Sequence, residues 1–204
     1  MQIRKSLIAL LPFLSAALSQ TAAPYTDPDN GITFYGVTDV VHKVTYGFVF
    51  PPDETTTEFI GEIIAPVEAK WVGVSPGGSM INNLLIVGYT NGESVVGSTR
   101  IASGYSSPQT LAGPTLTNLA STTVNETHWK WVYRCEDCTS WEGGSLDTSG
   151  TGAPAWALGE KAPSDPSDTT STVPKHDDFG FFGIDFTEAR ASAKDYESWI
   201  AETA

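Results

Sequence analysis

Basic residues are scarce in this sequence. Its 204 residues include 11 lysines and arginines against 24 aspartates and glutamates, so the formal net charge at pH 7 is −13. Binding to a nucleic-acid backbone or to an anionic membrane surface depends on clustered Lys and Arg, so this balance argues against both kinds of partner. A hydrophobic content of 40% with only 17% charged residues favours a packed globular domain over a disordered chain.

Long apolar runs are missing beyond the N-terminus. Residues 1–19 carry Arg4 and Lys5, an apolar stretch over 7–18 and small residues before the predicted cleavage point, which is the pattern of a signal peptide. No later stretch approaches the roughly 20 apolar residues that a membrane-spanning helix needs. The sequence therefore predicts a secreted, extracellular protein whose single domain covers residues 20–204.

Cysteine is nearly absent, with only Cys135 and Cys138 in a C-x-x-C spacing. Because there is no second pair and the predicted compartment is oxidising, the spacing favours a short structural disulfide over a zinc or redox site. Covalent haem attachment is excluded because Thr139 stands where a c-type cytochrome requires histidine. Asn125 opens an Asn-Glu-Thr sequon, which predicts a glycosylated, exposed turn.

Short apolar and β-branched runs separated by turn residues dominate the rest of the chain. With 19 glycines and 13 prolines, the composition fits many short strands, and Asn91-Gly92 between two runs is a hairpin signal. The predicted fold class is therefore all-β, with the strands arranged in a sandwich. The ten predicted strands cover 32–35, 44–50, 59–65, 71–74, 84–89, 95–101, 115–119, 129–134, 155–158 and 179–185.

Two segments carry more specific predictions. The alternation around Trp129 and Trp131 places the aromatic residues on a core face and Lys130 on a solvent-facing side. A short amphipathic helix is predicted within 187–204, because Ala189, Ala193, Tyr196 and Ile200 recur at helical spacing. The Pro-, Ser-, Thr- and Asp-rich stretch 161–175 predicts a long surface loop.

Methionine is rare in the predicted mature chain, where Met80 is the only one. It follows the turn 76–79 instead of an apolar run. A thioether on a glycine-built loop has the chemistry of a soft axial ligand for haem iron or copper. A packing or surface-loop methionine is the alternative.

Only three histidines are available as imidazole ligands or bases. His42 and His128 lie beside predicted strands and are expected to have structural roles. His176 follows the polar loop and opens an aromatic run, so it is the candidate for projecting into an apolar pocket. An ordinary loop histidine is the alternative.

Familiar catalytic patterns are missing. The chain has no H-x-x-x-H, H-E-x-x-H or G-x-S-x-G pattern, and no spacing singles out a pair of carboxylates. Its six tryptophans could stack on sugars. A cofactor-free secreted carbohydrate-binding β-sandwich and a structural cell-wall protein therefore stay as alternatives, and both would be colourless.

Four stretches in the same order resemble the haem b cytochrome domain of fungal cellobiose dehydrogenases. The resemblance covers nearly all of the chain after residue 19, and the cysteine spacing matches as well. The stretches are 38–52, 77–80, 128–135 and 176–185.

The resemblance implies an immunoglobulin-like antiparallel β-sandwich that binds one non-covalent haem b. The matching residues would make Met80 and His176 the axial ligands of the iron, give Tyr105 a hydrogen bond to a haem propionate and place Phe179 beside the haem. Arg100, by its charge and its place near Tyr105, is the predicted second propionate partner.

The resemblance also implies a role in electron transfer. Such domains accept single electrons from a flavin dehydrogenase domain that oxidises cellobiose, and pass them to a lytic polysaccharide monooxygenase or to acceptors such as ferric iron. No G-x-G-x-x-G fingerprint of a dinucleotide-binding domain occurs in these residues. The chain is therefore expected to be an electron-transfer cytochrome domain without a sugar-oxidising site of its own.

Overall fold

The computed structural model describes residues 20–203. The predicted signal peptide, residues 1–19, lies outside the described residues. The described part contains seventeen strands and one helix, α1 (Ala193–Ile200). In chain order the strands are β1 (Gln20–Thr21), β2 (Ala23–Thr26), β3 (Thr33–Asp39), β4 (Val44–Val49), β5 (Phe59–Pro66), β6 (Trp71–Ser75), β7 (Leu85–Asn91), β8 (Ser94–Ile101), β9 (Gln109–Thr110), β10 (Thr115–Asn118), β11 (Thr123–Val124), β12 (His128–Glu136), β13 (Ser140–Trp141), β14 (Gly144–Ser145), β15 (Thr151–Gly152), β16 (Ala155–Gly159) and β17 (Asp178–Asp185).

The strands form two large sheets packed face to face. An eight-stranded sheet has the order β1-β17-β16-β6-β7-β8-β9 with β15 added beside β17, and a seven-stranded sheet has the order β10-β12-β5-β4-β3-β2 with β11 added beside β12. All strand pairs except β1 with β17 are antiparallel. The predicted all-β sandwich is confirmed, and all ten predicted strands are present.

The inner faces of the two sheets enclose the main hydrophobic core. Alternate residues of each strand point inward, as the two-residue period of a strand dictates. Trp129, Trp131 and Tyr133 of β12 are buried there, as predicted, against Val72 and Val74 of β6. This core buries only the inner face of each sheet. Apolar residues on the two outer faces must therefore be buried by other segments of the chain.

Helix α1 covers the outer face of the seven-stranded sheet. Its Tyr196 packs on Phe34 and Ile60, and the Ser192 hydroxyl caps its N-terminus by accepting from the Asp195 amide. The predicted terminal helix is thus confirmed, but it begins later than the pattern indicated. Ala189 lies in the bend that follows the turn 186–188, and the next residue, Arg190, pairs with Phe50 just after β4.

The outward side of β12 is less solvated than predicted. Lys130 is buried and its ammonium group pairs with the carboxylates of Asp27 and Asp29. Close by, Glu62 of β5 is buried and accepts a 2.7 Å hydrogen bond from the Tyr25 hydroxyl. Segments distant in the sequence therefore cover this face and supply the charges that neutralise Lys130.

The predicted disulfide between Cys135 and Cys138 is present and buried at the end of β12. The Asn91-Gly92 hairpin also forms as predicted, with Gly92 at a φ of +61°. Asn125 is exposed in the turn before β12, where its side chain accepts from the backbone amides of Thr127 and His128. Its glycosylation stays a prediction.

Candidate cofactor site

Met80 projects from the connection between β6 and β7. The turn before it is closed by a 3.0 Å hydrogen bond from the Gly78 amide to the Ser75 carbonyl, and the Ser75 hydroxyl donates to the Ser79 carbonyl at 2.8 Å. Gly78 has a φ of +80°, and a Cβ there would lie 2.4 Å from the Ala153 carbonyl oxygen. Backbone constraints therefore hold the half-buried Met80 at one end of the eight-stranded sheet.

Sequence reasoning missed a support of this loop, Trp141. Its indole nitrogen donates to the Asn82 carbonyl at 3.1 Å, and its ring lies beneath Gly77. Trp141 follows the disulfide closely in the chain and is buried with it in the main core. The Met80 loop is thus braced from the core side.

His176 reaches the same sheet at the start of β17. The neighbouring Asp177 amide donates to the Leu158 carbonyl at 2.9 Å, and the Asp177 carboxylate accepts from the Glu160 amide at 2.8 Å. The imidazole is half-buried, with its centroid 5.2 Å from the ring of Phe179. Within residues 20–203 neither ring nitrogen of His176 has a hydrogen-bond partner, so both are available to bind another group.

Met80 and His176 lie in connections at opposite ends of strand β16. Met80 follows β6, whose last residue, Ser75, pairs with Ala155 of β16. Strand β17 begins opposite Leu158, at the other end of β16, and His176 precedes that start. The two residues that the sequence singled out therefore lie in connections at opposite ends of β16.

The sheet surface between these ends carries small side chains. Across the strands, Ala157 pairs with Gly73, and Gly73 pairs with Val87. Gly73 is buried and does not have a positive φ, and a Cβ added to it would meet no atom nearer than 3.4 Å. A Cβ at Gly73 would make only ordinary contacts with Val87 and Trp71, so packing within the described residues does not itself require a glycine here. A glycine inside a strand can mark the close approach of another group.

Two phenylalanines of β17 are uncovered beside this surface. Phe179 is 57% exposed and Phe181 is 53% exposed, whereas Phe182, on the opposite face, is buried. The two exposed rings are 6.4 Å apart and edge to face. Apolar rings left open next to an imidazole and a thioether fit a large planar apolar ligand that would cover them.

The predicted long loop, residues 161–175, is tied to the outer face by three buried side chains. The Tyr89 hydroxyl donates to the Asp168 carbonyl at 3.0 Å. The Ser98 hydroxyl and the Arg100 guanidinium both donate to the Thr169 carbonyl, at 2.7 and 2.8 Å. Val173 is buried against Tyr89. The segment that leads to His176 is therefore anchored along its length.

Arg100 is only 1% exposed. It also donates to the Ser98 hydroxyl at 3.0 Å and to the Pro108 carbonyl, and burial lowers the pKa of its guanidinium. No carboxylate of residues 20–203 forms an ion pair with it, so its charge is balanced only by neutral acceptors. A buried cation in that position fits an anionic group of a ligand.

Tyr105 is 91% exposed in the loop between β8 and β9. That loop lies beside the Met80 loop, because the Asn82 amide donates to the Ala102 carbonyl at 2.8 Å. Tyr105 and Arg100 therefore both belong to the Met80 end of the sheet, and of these two only Tyr105 is open to solvent.

A further contact secures the start of β17. The imidazole of His42, in the turn between β3 and β4, lies 2.8 Å from Asp39 and 3.3 Å from Asp178. His42 thus links the two sheets close to His176, which agrees with the structural role expected for it.

The donor set fits the haem predicted from the sequence. A thioether and an imidazole are a ligand pair found in cytochromes, and Gly73 lies between the two ends of β16 that Met80 and His176 adjoin. The exposed phenylalanines would contact the apolar ring of the haem, and the unpaired Arg100 would contact its carboxylates.

Among the described residues, no helix is long and apolar enough to cross a membrane.

The family model of the cytochrome domain of cellobiose dehydrogenase matches residues 25–198. Two solved structures are also similar. The cytochrome b domain of pyranose dehydrogenase from Coprinopsis cinerea is 34% identical with a TM-score of 0.81, covering 87% of this chain and 94% of that one. The cytochrome domain of cellobiose dehydrogenase from Myriococcum thermophilum is 32% identical with a TM-score of 0.81, covering 91% and 97%.

A curated relative is the pyrroloquinoline quinone-dependent pyranose dehydrogenase of Coprinopsis cinerea. It is 34% identical over 202 residues, which is 95% of this chain. The chain spans 28% of the length of that relative. With the family match over most of its length, the chain belongs to the family of the cytochrome domain of cellobiose dehydrogenase.

Proposed function

We propose that this chain binds one haem b non-covalently, with Met80 and His176 as the axial ligands of the iron. The observation that carries the proposal is the strand register, which sets the two connections that bear these residues at opposite ends of β16, with Gly73 of the neighbouring strand between those ends. The similarity to a solved cytochrome b domain supports it.

The remaining predicted residues then have separate tasks. Phe179 and Phe181 would cover the apolar ring and lose their solvent exposure. Arg100 and Tyr105 would bind the propionates, and Arg100 would gain the anionic partner that it lacks among the described residues. The anchored loop 161–175 holds His176 at its position.

The function that follows is one-electron transfer. When bound, the haem iron supplies a couple between the ferric and ferrous states. Two protein ligands leave no open coordination position, so the site favours electron transfer over oxygen binding, and the Met80 thioether raises the reduction potential by favouring the ferrous state.

The proposed donor is a dehydrogenase domain, and the proposed acceptor is a lytic polysaccharide monooxygenase or another one-electron acceptor. A flavin dehydrogenase that oxidises cellobiose is the first candidate donor, in keeping with the family. The curated relative depends on pyrroloquinoline quinone, which makes a quinoprotein dehydrogenase the second. We also propose that the chain is secreted, because residues 1–19 have the pattern of a signal peptide.

The strong negative charge of the chain should influence how fast it docks with its redox partners. A chain with net charge −13 repels another acidic module at neutral pH. Docking should therefore become faster as carboxylates are protonated near pH 4 to 5 or when cations screen them. Stopped-flow reduction rates that do not change between pH 5 and pH 7.5 would contradict this.

The decisive experiment is an absorption spectrum of the purified chain, oxidised and then reduced with dithionite. Six-coordinate low-spin haem b should give a shifted Soret band and sharp α and β bands. Met80→Leu and His176→Ala should lose or alter these bands, whereas the matched control His128→Ala, at the exposed start of β12, should keep them. A folded protein that stays colourless after haem is supplied rules the proposal out.

A further inference from the structure

The burial of most tryptophans limits where a sugar ring could stack on an indole. Of the six in the sequence, five are buried, which leaves Trp199 of α1 as the only one available at the surface of the described residues. Any stacking of a sugar ring on an indole must therefore involve Trp199. The five buried tryptophans are Trp71, Trp129, Trp131, Trp141 and Trp156.

Trp199 lines a cleft of about 500 Å³. The cleft lies between α1 with the segment that precedes it and strands β2 and β3 of the seven-stranded sheet. Its walls include Tyr35, Glu188, Arg190 and Asp195. This volume is within the range of small-molecule sites, and the cleft is on the opposite side of the sandwich from Met80 and His176.

The polar groups of the cleft favour a neutral ligand. The Tyr35 hydroxyl, the Trp199 indole nitrogen and the Glu188 carboxylate make no hydrogen bond within residues 20–203, so they can donate to and accept from a ligand. The Arg190 guanidinium is already bound to the carbonyls of Pro51, Asp53 and Thr148. Within residues 20–203 neither Glu188 nor Asp195 forms an ion pair with Arg190, and the lining has two carboxylates against one guanidinium, which disfavours an anionic ligand.

We propose that this cleft is a binding site for a neutral oligosaccharide, separate from the cofactor site. An aromatic face beside hydrogen-bonding groups of both kinds suits a sugar ring, which has apolar C–H faces and a rim of hydroxyls. Trp199 provides the stacking face, and Glu188 and Tyr35 bind hydroxyls. The proposal does not depend on haem binding.

The test is titration of the secreted chain with cellotetraose, followed by calorimetry and by the change in tryptophan fluorescence. Cellotetraose is a suitable probe because its equatorial hydroxyls leave flat ring faces free. Trp199→Ala should weaken binding about tenfold, as expected for the loss of an aromatic contact. Tetragalacturonate, a chain of anionic sugars, should not bind at pH 7.

Two further variants keep the proposal falsifiable if Trp199→Ala disturbs the packing of α1. Glu188→Gln should weaken cellotetraose binding, while Glu197→Gln, an exposed carboxylate on α1 outside the cleft lining, should not. None of these changes should alter the haem spectrum, so a failure here is distinguishable from a failure of the proposed function. The absence of cellotetraose binding, or binding unaffected by both Trp199→Ala and Glu188→Gln, would overturn the proposal.

Discussion

The Arg100 guanidinium donates a 2.8 Å hydrogen bond to the carbonyl oxygen of Thr169, which joins β8 to the loop that leads to His176. Ser98 donates to the same oxygen. The position of one candidate ligand therefore depends on side chains of a strand that does not carry it.

Arg100→Met should free this loop. We expect the free energy of unfolding to fall by about 2 kcal/mol, because several hydrogen bonds from one charged group are lost, and haem to dissociate faster. The backbone amides of residues 170–173 should exchange hydrogen faster even in haem-free protein, which separates the loop-holding role from a contact with a propionate. Arg134→Met, which removes an arginine paired with Glu58 on the other sheet, should leave haem dissociation unchanged.

Gly73→Val should separate folding from cofactor binding. A Cβ at Gly73 meets only ordinary contacts, so the variant should fold, but its methyl groups would fill the space proposed for haem. The measurements are circular dichroism for folding and absorbance for bound haem.

Gly88→Ala provides the contrasting variant. Its Cβ would lie 2.5 Å from the Trp131 ring in the main core, so stability should fall by about 1–3 kcal/mol. Folded protein that still carries haem should keep its normal spectrum. If Gly73→Val binds haem as well as the unchanged chain does, the space above Gly73 is not the site.

Glu62 should make the fold more stable in acid than in mild alkali. Burial raises the pKa of Glu62 to about 8, from an ordinary value of 4.5. Between these two values the folded chain holds a proton that the unfolded chain has released, so the free energy of unfolding falls as pH rises from 4.5 to 8. Each unit of difference in pKa corresponds to about 1.4 kcal/mol.

Glu62→Gln removes this ionisation and keeps the acceptor for Tyr25. Urea unfolding between pH 5 and pH 8.5 should therefore depend less on pH than in the unchanged chain. The exposed Glu142→Gln serves as the control and should keep the original dependence. Equal slopes for Glu62→Gln and the unchanged chain would show that Glu62 is already ionised in the folded state.

The disulfide should have a modest effect on stability. Cys135 and Cys138 close a very short loop, for which chain entropy gives about 2 kcal/mol. Replacing both cysteines with alanine should lower the free energy of unfolding by about this amount, as measured by urea unfolding. Adding a thiol reductant should then have no further effect on the double variant.

The ten predicted strands could be recognised because each is a run of at least four mostly apolar or β-branched residues between turn residues. The seven strands that the sequence did not predict have two to four residues, as at Gln109–Thr110, which is too short for a period to show. Ala189 fits a helical spacing, yet it lies in a bend outside the helix, where the neighbouring Arg190 binds carbonyls of distant loops. The burial of Lys130 depends on Asp27 and Asp29, which no local pattern connects to it.

Some residues of the candidate site could also be predicted from the sequence, and others could not. Met80 and His176 could be singled out from residue type and family resemblance, and the strand register sets their connections at opposite ends of β16. The supports Ser98, Tyr89 and Trp141 act through backbone carbonyls of other segments, and their residue types alone give no sign of this. Gly73 gave a weak signal, as a glycine inside an apolar strand.

Because the candidate site lies outside the main core, its residues can change without a change in the core. Met80, His176, Phe179 and Tyr105 all lie outside the main core, which is enclosed by the inner faces of the two sheets. Substitutions at the rim can therefore retune a reduction potential or accommodate a new redox partner without disturbing the scaffold. Such a separation lets the proposed site vary while the packing that holds the two sheets together stays the same.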